Sequence, residues 1–348
     1  MIFLVNNSYT YWASLFLLNN KNQYIPYNFI FDGLVVFLQF PILFRTCYII
    51  SKYQVFHKNL TILLNFQLIL WIEPIIAKII LIPYRNGFRL VGNHSRIYQH
   101  YWTENEAEMV PIESFWDEPK LFFSSCLFVH FYASMLFFVL TVSIERAIST
   151  YYLSDYEKKP RLYISLCLLT LTFSLSCLVA YIFLIDFFTF TAFGTIIILI
   201  GITSLSLYIF VWLYNIRIGH KNYSLSRRFQ CHENLKSLDM AKRVVTTYAI
   251  LNFVVNASFC IVNFSENAII WRIFTQVIDN ATNMVPIIIC PVTIFSIDTW
   301  KMAAFRYFYD QRRKGKVKEI ELDRKKKKED EDREHTEMYF EHLNKSWI

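Results

Sequence analysis

Seven stretches of about 20 mostly apolar residues, the length a helix needs to cross a bilayer, recur at roughly 29–50, 60–82, 121–144, 162–185, 192–214, 244–264 and 273–297. The fourth, LYISLCLLTLTFSLSCLVAYIFLI, and the fifth, AFGTIIILIGITSLSLYIFVWLY, are virtually uncharged. The second carries Glu73, Pro74 and Lys78, and the seventh carries Asp279, Pro286 and Pro291. Both remain long enough to span, because neighbouring helices can satisfy the backbone groups that proline frees. An eighth stretch, MIFLVNNSYTYWASLFLL, is broken by Asn6, Asn7, Ser8 and Thr10 and lacks the basic start of a signal peptide, so it stays outside the count. Composition agrees: with 55% hydrophobic and 18% charged residues, and 33 Phe and 22 Tyr, a soluble chain would lack the charge to cover its aromatics. The expected fold is an all-α membrane protein, a seven-transmembrane-helix bundle whose lipid partner is the bilayer.

Basic residues set the expected orientation. The connections 51–59, 145–161 and 215–243, with the tail 298–348, hold 27 of the 35 Lys and Arg, against 6 in the opposite set. Without the tail the balance is still 13 to 6. The reading that follows is an extracellular N-terminus over 1–28, a transmembrane domain over 29–297 and a cytosolic C-terminus. Residues 298–315 read as a short juxtamembrane amphipathic helix on the inner leaflet, and the blocks of opposite charge in 316–348 as a disordered cytosolic tail. The net charge of +7 is therefore a matter of membrane topology, with no nucleic-acid partner implied.

Between the third and fourth windows lies SIERAISTYYLSDYEKKPR, residues 143–161, a charged island whose side chains face cytosolic water on this topology. An acid beside an Arg at a cytosolic helix end can hold an ionic lock that breaks when a partner docks, although charges there also serve as ordinary snorkelling anchors. The string is more specific than the pair. Through Glu145, Arg146, Tyr151, Tyr152, Asp155, Tyr156, Glu157, Lys158 and Lys159 it resembles the nematode serpentine chemoreceptors of class epsilon, the Sre family, a seven-transmembrane G-protein-coupled-receptor-like family. The likeness in span order and loop lengths covers about 29–310. It implies a plasma-membrane chemosensory receptor that takes a small molecule from the outer side and signals through a heterotrimeric G protein, with those nine residues as the coupling face. On that reading Arg146 pairs in the inactive state with Glu145 or with an acid approaching the sixth span, such as Asp239.

Polar residues inside the spans are the ligand-binding or bundle-interior candidates: Glu73, His130, Asn256, Asn263, Gln276, Asp279 and Asn280. They recur at helical spacing and cannot face lipid cheaply, so they line a pocket or hydrogen-bond one helix to another. Below His130, Ser134 and Thr141 continue the stripe. Glu73, near mid-bilayer, needs a partner, a proton or an ion. Lys78 lies five positions on, about 140° around the helix, and is expected to snorkel to the headgroups, while Asp32 is expected to sit at the outer mouth near water.

Asn6 and Asn93 stand in sequons on the outer side and are the expected glycosylation sites. The seven cysteines show no CxxC and no His cluster nearby, so neither a metal site nor a disulfide framework is expected. A seven-span metallohydrolase needs several His and acids at one depth, yet only His130 of the eight His lies within a span. No enzymatic activity and no cofactor are therefore expected. An ion channel or transporter on the same bundle is the alternative, with Glu73 and Asp279 as its ion-coupling residues.

Overall fold

A computed structural model describes residues 2–6, 9–14, 26–86, 88–89, 91, 105–114, 116–152, 161–185, 190–219, 225–264, 267–306 and 326. Its bundle comprises α1 (Pro26–Lys52), α2 (Lys58–Leu70) with α3 (Ile72–Arg85), α4 (Pro119–Tyr151), α5 (Leu162–Leu184), α6 (Phe190–Gly219), α7 (Leu225–Phe264) and α8 (Ala268–Phe295). Six are long and apolar enough to cross a membrane, α2 and α3 together making one, and the bent α8 is the seventh. Leu166, Leu171, Leu178 and Tyr181 of α5 and Ile198, Ile202, Leu205 and Phe210 of α6 are exposed. Surface of that kind is stable only against lipid.

Two of the crossings are broken, and proline explains both. Pro74 offers no N–H to the carbonyl of Leu70 and crowds it. The chain turns at Trp71, whose N–H donates three residues back to Leu68 O at 3.1 Å. In α8 the segments Ile273–Ala281 and Asn283–Phe295 meet at 41°, four residues ahead of Pro286.

Helix α4 is the hub, packing against α2, α3, α5, α6 and α7, while α8 closes the bundle by packing on both α7 and α1. The stretch 215–243, expected as a connecting loop, is largely helical: α6 runs to Gly219 and α7 starts at Leu225. Residues 225–243 contain no Pro or Gly to stop a helix, so α7 simply extends past the apolar window.

The first residues form no helix. Strands β1 (Ile2–Val5) and β2 (Tyr9–Trp12) make an antiparallel hairpin, and β3 (Val110–Ile112) joins β1 in parallel, Phe3 opposite Val110. Asn6, at the hairpin turn, takes φ 47°, a left-handed conformation that Asn tolerates well. Strand alternation divides the sheet's side chains between two cores. Ile2, Leu4 and Trp12 pack with Ala77, Phe128, Val129, Ala180 and Ile278, whereas Phe3, Val5, Tyr11 and Ala13 pack with Leu81, Tyr84 and Leu121. The hairpin is thus wedged into one end of the bundle, and Ser14 N–H donates to Ser125 Oγ at 3.0 Å beside it. Beyond this unit, residues 298–306 are helical.

Candidate functional site

At the end of α4 away from the sheet, Glu145 and Arg146 are both fully buried. Arg146 grips its neighbour with two parallel bonds, Nε to Oε2 at 2.6 Å and Nη2 to Oε1 at 2.7 Å, the geometry in which guanidinium–carboxylate pairs are strongest. Its Nη1 donates across to Asn234 Oδ1 on α7 at 2.9 Å, and Ser149 Oγ donates to the same oxygen at 3.0 Å. Asn234 Nδ2 donates in turn to Thr150 Oγ1 at 3.1 Å and to Asn215 Oδ1 on α6 at 3.2 Å. The pair is therefore the centre of a buried polar knot joining α4, α6 and α7.

The anticipated partnership with Glu145 is present, but Asp239 takes no part in it. Asp239 is exposed, because five residues carry it about 140° around α7 from Asn234. Asn215 and Asn234 both fall in the stretch 215–243 that hydropathy reads as a connecting loop, so neither stands out from the sequence as a bundle residue. The available signal was an amide on each of two helices at the depth of Arg146.

Nearby, the backbone N–H of His57 donates to Glu233 Oε1 on α7 at 2.6 Å. Its Nδ1 caps α2 by accepting from Asn59 N at 3.3 Å. Burial holds this imidazole below the ordinary histidine value; Glu145 opposes the shift, and Arg146 and Lys58 add to it. Tyr151 and Tyr152 are exposed, their rings edge to face at 4.9 Å, and the Arg161 guanidinium lies 4.0 Å from the Tyr152 ring centroid. Asp155, Tyr156, Glu157, Lys158 and Lys159 lie outside the described residues.

At mid-depth Glu73 has found its partner: its Oε2 lies 2.7 Å from His130 Nδ1 on α4, and the His130 ring packs edge-on against Phe173 of α5. Below His130, Ser134 bonds Ser176 at 3.2 Å and Thr141 bonds Thr172 at 2.6 Å. That stripe is interhelical glue between α4 and α5.

Toward the sheet, three helices contribute a buried quartet. Lys78 Nζ lies 2.5 Å from Asp279 Oδ2 on α8 and 3.4 Å from Asp32 Oδ1 on α1. Arg85 Nη1 reaches Asp32 Oδ2 at 3.0 Å and also contacts Asp279. Two expectations are corrected here: Lys78 does not snorkel outward, and Asp32 is not at a watery mouth. Lys78 and Arg85 stand seven residues apart, on one face of α3, and that face turns inward to α1 and α8. The recurrence of cations at that spacing was the unused signal.

Gln276 and Asn280 are half-buried on α8, and the side chains of Asn256 and Asn263 on α7 lie outside the described residues. Asn6 is exposed at its turn; Asn93 lies outside the described residues. All seven cysteines are free thiols. Among the described residues, no three His, Cys, Asp or Glu side chains converge as a metal site.

Below the quartet is a cleft of about 340 Å³ including its open mouth, walled by residues such as Gln39, Trp71, Phe131, Tyr248 and Asn283. Gln39 Nε2 donates to Asn283 O, and Asn283 Nδ2 donates to Asp279 O at 2.6 Å. The cleft is thereby tied to the quartet above.

A hub helix ending in a buried Glu–Arg pair, inside a bundle of apolar crossings, defines a serpentine membrane protein of the seven-transmembrane kind. The chain belongs to the Sre G protein-coupled chemoreceptor family, whose model matches residues 1–348. Similar proteins include three from Caenorhabditis elegans. Serpentine receptor class epsilon-45 is 28% identical over 312 residues, covering 84% of each chain. Serpentine receptor class epsilon-38 is 29% identical over 311 residues and class epsilon-33 is 30% identical over 322, each covering 85% of both chains.

Proposed function

We propose that this protein is a plasma-membrane chemosensory receptor that binds a small molecule from the sheet-bearing side and signals through a heterotrimeric G protein at the Arg146 end. The observation that carries the reading is the buried Glu145–Arg146–Asn234 knot. It holds α4, α6 and α7 together through polar groups that have few geometric alternatives once buried, so separating these helix ends requires breaking it. A partner that inserts there supplies new contacts for Arg146. Family membership supports the same assignment, and the exposed Tyr151 and Tyr152 extend the surface that the partner meets. The sheet-bearing end is the outer face in this reading, with Asn6 and Asn93 as glycan acceptors. Residues 298–315 lie along the inner leaflet and 316–348 form the cytosolic tail.

The test is a calcium or second-messenger assay in cells supplied with a promiscuous G protein, screened against odorants and secreted metabolites. An active compound should lose its response in Arg146→Ala at matched surface expression. A normal response in that variant would show that the coupling face lies elsewhere.

A further inference from the structure

A hairpin laid over the end of a bundle needs one apolar face and keeps the other polar toward water. The strands β1, IFLV, and β2, YTYW, keep no such alternation. Ile2, Phe3, Leu4, Val5, Tyr11 and Trp12 are all 8% exposed or less, so this hairpin is inserted between the helices. Exposure grades along its length. Asn6 and Tyr9 at the turn are exposed, whereas the paired Ile2 and Trp12 at the far end are buried. Around that buried end the packing draws on five helices: Ala77 of α3, Phe128 of α4, Ala180 of α5, Val262 of α7 and Ile278 of α8. The Trp12 ring meets Phe183 of α5 edge to face at 5.0 Å, and its centroid lies 6.4 Å from that of Phe128. The chain's own side chains thus fill the space where these helix ends converge.

Two strands of four residues are marginal by themselves. The seated hairpin therefore depends on the bundle contacts, and on β3, whose Ile112 O accepts from Asn6 N–H at 3.0 Å. Any molecule that enters the same space from the sheet-bearing side competes for those contacts. Two of the helices around the Trp12 end are also the ones that meet at the knot. Helix α4 packs with the hairpin at Phe128 and carries Arg146 about five turns, roughly 27 Å, further on. Helix α7 joins the same cluster at Val262 and carries Asn234 toward its opposite end. The seated hairpin and the closed knot occur together in one structure. An element that sets the spacing of α4 and α7 at one end favours one arrangement of the groups at the other, and by linkage each end biases its partner equally.

We propose that the hairpin is an intramolecular antagonist: it occupies the mouth of the bundle, its seated form holds the Arg146 knot closed, and an agonist acts by displacing the Ile2–Trp12 end. The signalling consequence rests on the receptor reading above; the coupling between hairpin and knot does not.

Two measurements on the full-length protein in lipid nanodiscs test it. Amide hydrogen exchange over residues 231–240 of α7 reads the knot without a G protein, and nucleotide exchange on an added G protein reads signalling. Trp12→Ala, which withdraws the ring from Phe128 and Phe183, should raise both several-fold. Leu4→Ala should act in the same direction to a smaller extent, and carries the test if Trp12→Ala fails to fold. Loss of a residue that served folding alone would lower nucleotide exchange, so the rise is diagnostic. The Ser14 and Ser125 hydroxyl oxygens lie 3.5 Å apart and are buried, which puts Ser14→Cys and Ser125→Cys within bridging reach. The bridged protein should fall below the unsubstituted one in both measurements, and a reductant should restore it. An unchanged rate over 231–240 in Trp12→Ala and Leu4→Ala, or full nucleotide exchange from the bridged protein, would overturn the proposal. Hydrogen exchange that follows the hairpin while no variant evokes nucleotide exchange counts against the receptor assignment alone. Nucleotide exchange that rises in Asn234→Ala and is indifferent to every hairpin variant counts against the antagonist hairpin alone.

Discussion

Nη1 of Arg146 donates to Oδ1 of Asn234 at 2.9 Å, joining residues 88 positions apart at a depth where both are fully buried. Burial changes the weight of every contact in this knot. An exposed ion pair contributes about 0–1 kcal/mol, whereas removing one partner of a buried pair costs about 3–5 kcal/mol.

Asn234→Ala strips Arg146 Nη1 and Ser149 Oγ of their shared acceptor. Unsatisfied buried donors cost about 1–3 kcal/mol, so the purified protein should melt lower. Basal signalling should rise several-fold, at about tenfold per 1.4 kcal/mol. Glu145→Gln, which leaves a buried guanidinium uncompensated, should exceed it on both counts. Asp239→Ala, exposed on another face of α7, should change neither. Equal effects from Asp239→Ala and Asn234→Ala would remove Asn234 from its role.

The quartet predicts non-additivity. Lys78→Met leaves Asp279 and Asp32 with Arg85 as their one remaining cation in the cluster. It should lower stability or surface expression by an amount equivalent to about 3–5 kcal/mol. Adding Asp279→Leu removes the surplus charge, so the double variant should be more stable than the sum of the two single losses by about 0.5–3 kcal/mol, the range seen for coupled neighbours. Simple additivity in thermal unfolding would show that the four groups do not act as a unit.

His57 predicts an acid-sensitive step. Its folded-state pKa is depressed below the ordinary 6.5, chiefly by burial. The unfolded chain therefore takes up the proton at higher pH than the folded one. Stability from the neutral ring is full above that ordinary value and declines as pH falls below it toward the folded value. Protonation also removes the Nδ1 acceptor that caps α2. Melting followed from about pH 7.5 to 5.5, the histidine range, should show a decline that His57→Asn flattens, since Asn caps a helix without titrating. An unchanged slope in His57→Asn would assign the decline to other groups.

Asn6 tests topology. Asn6→Gly preserves the left-handed turn while deleting the sequon, so it should remove one endoglycosidase-sensitive mobility shift and leave folding intact. Asn222, in the sequon Asn222-Tyr223-Ser224 of the connection 215–243 read as cytosolic, is the control, and Asn222→Gln should change nothing in the same gel. The opposite pattern would invert the orientation.

The spans were legible because crossing a membrane is a local property: some 20 apolar residues suffice wherever they stand. The contact between Glu145 and Arg146 was legible because they are adjacent, and the need of Glu73 for a partner followed from its depth. What tertiary structure alone decided is which groups meet. Lys78 was expected to escape to the headgroups, yet it meets Asp279, 201 residues away, because the rotation of α3 against α1 and α8 turns its cationic face inward. Asp239 and Asn234 are five residues apart on one helix, and only the packing of α7 on α4 selects between them. Hydropathy reports solubility in lipid and not helicity, so it missed the charged extension of α7 at 225–243. The N-terminal sheet was hidden for a related reason. Strand β1 is completed by a parallel neighbour, Phe3 beside Val110, and such pairing exists only once the bundle has brought those distant segments together.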